Sequence, residues 1–83
     1  MKYNFITRGT CSKEVSFEIE DDIIKNVDFY GGCHGNLQAV AQLLEGMPVS
    51  FARERLKGIK CGDKPTSCAD QLVHGLDQAL ASI

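Results

Sequence analysis

Apolar and polar residues alternate along the first third of the chain. Tyr3, Phe5 and Thr7 share one face, and Asn4 and Ile6 the other. Val15, Phe17 and Ile19 alternate with Ser16, Glu18 and Glu20, and Val27 and Phe29 flank Asp28. Period two marks a strand with one wet face. Three strands are therefore predicted, the third over 23–30. The Asp21-Asp22 pair between two alternating runs predicts an antiparallel hairpin, and Arg8-Gly9-Thr10-Cys11-Ser12 links the first two strands.

The period then changes. Leu37, Val40, Ala41 and Leu44 lie at i, i+3, i+4 and i+7, one apolar stripe of a helix from about Asn36 to Glu45. Gly35 or Asn36 is its expected N-cap and Gly46 its stop. Pro48 suits the first turn of a second helix reaching about Lys57, with Val49, Ala52 and Leu56 inward. Ser67 with Asp70 three residues on has the form of a capping box opening a last helix to about Ser82. Ala69, Leu72, Val73, Leu76, Ala79, Leu80 and Ile83 form its core stripe. The order β-β-β-α-α-α implies an α+β fold, a three-stranded antiparallel sheet followed by three helices packed on one face.

The chain has 83 residues, room for a single domain over 1–83. A net charge of −2 argues against a nucleic-acid or anionic-membrane binder working by bulk charge. No apolar run approaches the ~20 residues of a membrane-spanning helix. Asn4, Thr7 and Arg8 interrupt any signal-peptide core, so a cytoplasmic location is expected. In that compartment the four cysteines, Cys11, Cys33, Cys61 and Cys68, read as metal ligands or reactive thiols better than as disulfides.

Each cysteine falls at an end of a predicted element, where a purely structural cysteine is seldom placed. Cys33 and Cys68 lie at or before helix N-termini, whose partial positive charge favours thiolate. Gly31, Gly32 and Gly35 let the chain wrap closely around Cys33. The spacing C-x21-C-x27-C-x6-C holds no paired knuckle, so convergence of the four thiols must come from topology. A closed four-thiolate site would hold zinc with Zn–S near ~2.3 Å, and three thiolates with an open position would suit a zinc catalyst or an iron–sulfur cluster. His34, Ser67 and Asp70 are candidates for supporting the ligands from behind, and His74 is expected to face solvent. Arg53, Arg55, Lys57, Lys60 and Lys64 are read as a solvated helix face balanced by Glu54, rather than a phosphate site. Thr66 and Ser67 are explained by helix capping, so no catalytic residue is assigned.

The run Pro65-Thr66-Ser67-Cys68-Ala69-Asp70 resembles the motif of the TSCPD-domain family, with Ala69 where the motif has proline. The likeness extends to Arg8-Gly9-Thr10-Cys11-Ser12, Gly31-Gly32-Cys33-His34-Gly35-Asn36 and Cys61-Gly62. That family also contributes the C-terminus of some cobalamin-dependent ribonucleotide reductases. The resemblance therefore implies ribonucleotide reductase or a redox protein as a partner, while a chain of this length holds no reductase barrel of its own.

More distantly, the element order and the positions of Cys11, Cys33 and Cys68 are similar to the U-type iron–sulfur scaffolds. Lys13 replaces the acidic residue that the scaffolds carry two positions after their first cysteine, and Ser67 replaces the histidine before their last. Cys61 is additional. These departures favour a closed, all-sulfur site.

The resulting expectation is a zinc-binding accessory or interaction domain held by Cys11, Cys33, Cys61 and Cys68, not an enzyme by itself. Two alternatives remain beside it: a thiol redox or sulfur-transfer protein using Cys68, and an iron–sulfur carrier or scaffold. The expected partner is a protein, not nucleic acid or membrane, and Phe51 and Ile59, if exposed, would suit a homodimer.

Overall fold

The computed structural model describes residues 2–10, 12–31, 34–60 and 62–81, the side chain of His34 excepted. Among them the chain forms β1 (Lys2–Ile6), β2 (Ser12–Glu20), β3 (Ile23–Gly31), α1 (His34–Leu44), α2 (Val49–Leu56) and α3 (Cys68–Ala81). The strands make one antiparallel sheet in the order β1-β2-β3. The three helices follow, giving the expected α+β, β-β-β-α-α-α architecture.

The hairpin turn is as short as the sequence predicts. Glu20 pairs with Ile23, and both intervening residues, Asp21 and Asp22, have positive φ (50° and 65°). A two-residue hairpin needs that conformation to match the twist of its strands, and aspartate tolerates it.

One feature departs from simple alternation. Ile24 and Val27 are both buried, although an odd spacing should put them on opposite faces. The register explains this: Ser16 pairs with Asp28 but Glu18 with Lys25, so β3 carries one extra residue between them. Asn26 sits in that stretch at φ 54°, and its N–H donates to Glu45 Oε1 at 2.8 Å. The bulge turns the face of β3 by one residue and lets both aliphatic side chains enter the core.

Val15, Phe17 and Ile19 supply the middle of the sheet's inner face. Leu72, Leu76 and Ala79 of α3, Leu44 of α1 and Val49 and Ala52 of α2 close over it. The ring centroids of Tyr3 and Phe17 are 5.7 Å apart. Gly75 brings α3 close to the sheet: a Cβ there would stand 3.0 Å from Phe5 and 3.3 Å from Phe17.

Two boundaries and one burial pattern differ from the expectations. Helix α1 starts at His34, so Gly35 and Asn36 lie inside its first turn and neither is the cap. First-turn N–H groups have no intrahelical acceptor, so a glycine there gives up little. Pro48 is the N-cap of α2, one position before the helix, with an extended ψ of 143°. Ala69 is half-buried, whereas Asp70 and Gln71 beside it are buried polar residues that the apolar stripe does not foresee.

Candidate functional site

The described chain around the cysteine positions is drawn to one end of the molecule. Ser12, which follows Cys11, pairs with Gly31, two residues before Cys33. The β1–β2 turn is tied to the start of α3: the Arg8 N–H donates to Gln71 Oε1 at 3.1 Å. A Cβ on Gly9, which has φ 73°, would stand 3.3 Å from Thr66 Cγ2. The turn is braced internally by the Thr7 hydroxyl, which donates to the Ser12 carbonyl at 2.7 Å.

Cys68 is the first residue of α3 and is buried, 9% exposed. Ser67 caps the helix: its Oγ accepts the Asp70 N–H at 3.1 Å. This is half of the expected capping box. The other half is absent, because the Asp70 carboxylate is used elsewhere. Its Oδ1 accepts the Gly58 N–H at 2.7 Å, and its Oδ2 accepts the Thr66 hydroxyl. Gln71 Nε2 in turn donates to Thr66 Oγ1 at 3.1 Å.

Asp70 thus fastens both ends of the 58–66 segment to one carboxylate. Between those ends, Ile59, Lys60 and residues 62–65 are exposed. Asp70 is a clasp for the loop that carries Cys61 in sequence. Burial by itself would raise the Asp70 pKa. The hydrogen bonds from Thr66 and Gly58, with His74 Nε2 3.4 Å away, outweigh it and hold the carboxyl below its ordinary value of 3.8. His74 is exposed, as expected, and faces Asp70 one helical turn away.

Cys11, Cys33, Cys61 and the side chain of His34 lie outside the described residues. Among the described residues no group of three or more His, Cys, Asp or Glu could hold a metal ion. Of the supporting residues proposed from sequence, Ser67 and Asp70 are engaged in building the helix start and the loop closure. Sequence reading missed Gln71 and Gly58, and it took Thr66 for a helix-capping residue, whereas Ser67 is the cap and the Thr66 hydroxyl donates to the Asp70 carboxylate. These polar groups meet across the tertiary structure, and only Ser67-to-Asp70 carries a local spacing signal.

A groove of about 330 Å³ lies elsewhere, between β3 and α1; Val27, Phe29, Leu37 and Gln38 are among its lining residues. Gly31, at the end of β3, also lines it. Among the described residues no helix is long and apolar enough to cross a membrane.

The segment Thr66-Ser67-Cys68-Ala69-Asp70 is therefore a folded unit. Thr66 bonds Asp70, Ser67 caps the helix, Cys68 opens it, and Asp70 reaches back to Gly58, just past α2. Comparison with characterised proteins finds no match, and no solved structure matches. Neither comparison therefore shows the similarity to U-type iron–sulfur scaffolds that the sequence suggested. The family model for the TSCPD domain matches residues 1–80, nearly the whole chain, and the chain belongs to the TSCPD domain family.

Proposed function

We propose that the chain is a small metal-binding accessory module in which Cys11, Cys33, Cys61 and Cys68 hold one zinc ion. The observation that supports this reading is the tethering of the chain beside each cysteine. Ser12 lies opposite Gly31, Arg8 and Gly9 lie against Gln71 and Thr66, and Gly58 is fastened to Asp70 beside Cys68. Four thiolates suit a closed tetrahedral site. Such a site would clamp the β1–β2 turn, the β3–α1 connection and the 58–66 loop onto the start of α3. A metal bound this way contributes to folding free energy, a useful staple for so small a core.

Two features favour this over a reactive-thiol role for Cys68. The residue is buried, and nucleophilic cysteines are partly exposed. A buried thiolate also needs compensating charge, which a metal supplies more fully than a helix terminus. Zinc and an iron–sulfur cluster both accept four thiolates. We take zinc as the occupant because the closed ligand set holds its metal rather than releasing it. The module would act through a protein partner, for which family resemblance points to ribonucleotide reductase.

The test is elemental analysis and an absorption spectrum on protein purified anaerobically without a metal-affinity tag. About one zinc per chain, no visible band and a loss of stability on chelation are expected. Iron with sulfide and a band near ~400 nm would replace zinc with a cluster on the same thiolates. Metal-free protein with four titratable thiols would overturn the reading.

A further inference from the structure

Five cations far apart in sequence are gathered at the cysteine-bearing end. Arg8 and Lys13 flank the β1–β2 turn, and Lys57, Lys60 and Lys64 lie on or beside the loop that Asp70 closes. The two groups meet through neighbouring residues of α3, since the Arg8 N–H bonds Gln71 and the Gly58 N–H bonds Asp70. All five side chains belong to exposed residues. No ion pair among the described residues involves any of them. The basic residues earlier on α2 are used internally: Arg53 pairs with Asp77, and Arg55 lies over the Phe51 ring at 5.3 Å.

Negative charge collects at the other end. Glu20, Asp21 and Asp22 form the hairpin turn, Glu45 lies beside Asn26, and of the cations there Lys25 is paired with Glu20 and Lys2 lies opposite Glu18. At the cysteine-bearing end Asp63 is exposed, Glu14 is half-buried beside Lys13 and exposed Glu54 lies one turn before Lys57, while Asp70 is buried. A chain of net charge −2 therefore carries an excess of cations over carboxylates at this end.

We propose that this face docks an acidic segment of a partner protein, with Ile59 as its apolar anchor. Ile59 is 43% exposed on the same loop, between Lys57 and Lys60. An apolar side chain ringed by lysines fits a segment that mixes carboxylates with aliphatic residues, whereas a phosphate backbone offers Ile59 nothing. The acidic far end would repel a long polyanion. None of these residues is a cysteine, so peptide binding is read separately from metal content, although a closed four-thiolate zinc site would bring two negative charges to this end.

The test uses a fluorescent peptide of about four Glu-Glu-Leu repeats, titrated by anisotropy and mapped by amide chemical shifts. Saturable binding is expected, weakening at least about tenfold between low salt and about 0.5 M salt. Shift changes should be confined to Arg8, Lys13 and residues 57–64. The triple variant K57E/K60E/K64E should bind at least about tenfold more weakly, R8E/K13E several-fold more weakly, and Ile59→Ser likewise. Circular dichroism and thermal melting establish that each variant is folded, and the two charge-reversal variants alter separate segments.

Absence of saturable binding would overturn the proposal. So would unchanged binding by both charge-reversal variants, or shifts centred on the β3–α1 groove. Equal or tighter binding of an oligothymidylate of similar length would reassign the face to nucleic acid.

Discussion

At the hairpin end, the connection between α1 and α2 is held to the sheet by main-chain bonds. The Ile24 N–H donates to the Met47 carbonyl, the Gly46 N–H to the Ile24 carbonyl and the Val49 N–H to the Asp22 carbonyl, each at 2.8 Å. At the cysteine-bearing end, the joints onto α3 run through side chains. Gln71 takes the Arg8 N–H, and Asp70 takes the Gly58 N–H and the Thr66 hydroxyl. A main-chain bond survives most substitutions at its own residues. A side-chain joint depends on one residue, and at Asp70 also on its charge. The end bearing the candidate chemistry is thus the end whose geometry residue identity and pH can change.

Asp70→Ala should break that end most severely. It leaves the Gly58 N–H and the Thr66 hydroxyl without their partner and should lower stability by about 2–4 kcal/mol in urea unfolding. Amide exchange should quicken at Gly58 while Ile24, Gly46 and Val49 keep their protection. Uniform loss of protection across both ends would show that they are not independent.

Acid should act on the same joint. The folded pKa of Asp70 lies below the ordinary 3.8. Its stabilising contribution is therefore complete above that value and is lost as pH falls through the folded pKa. Urea midpoints measured from about pH 6 to about pH 2 should fall on the acid side, and Asp70→Asn should flatten that fall. An unchanged slope in the variant would assign the acid sensitivity to other carboxylates.

Substitutions at the hairpin end should do less. Glu45→Ala removes the acceptor of the exposed Asn26 N–H, which water can replace, so a loss of about 0.5–1 kcal/mol is expected. Asp22→Asn keeps the main-chain carbonyl and a residue type that tolerates positive φ, so a change under about 0.5 kcal/mol is expected. A larger effect of Asp22→Asn than of Asp70→Ala on unfolding midpoints would reverse the comparison.

Much of this fold was legible because its signals are local. Val15, Phe17 and Ile19 declare a strand, and Leu37, Val40, Ala41 and Leu44 a helix, because side-chain direction repeats with backbone period. The Asp21-Asp22 turn is read from two residues. The Asn26 bulge is not, since Ile24 and Val27 look like a broken alternation until the pairing with β2 is known. The candidate site was legible as chemistry, from residue type and position at element ends. Ser67 also announced its capping role through its spacing to Asp70, but the second half of that box went to Gly58 and Thr66 instead.

The sequence by itself determined the order and kind of the elements, the tight hairpin, the helix start at Cys68 and the family, because each depends on residues within a few positions or on a contiguous motif. Tertiary structure decided what no spacing encodes. It gave the buried Asp70 carboxylate to a loop rather than to its own helix cap. It seated Gly75 against Phe5 and Phe17, and it drew Arg8 and Lys13 to the same end as Lys57, Lys60 and Lys64. The physical reason is that a buried polar group must find partners wherever packing brings donors near. Surface charges, in turn, become neighbours only when distant segments are folded together.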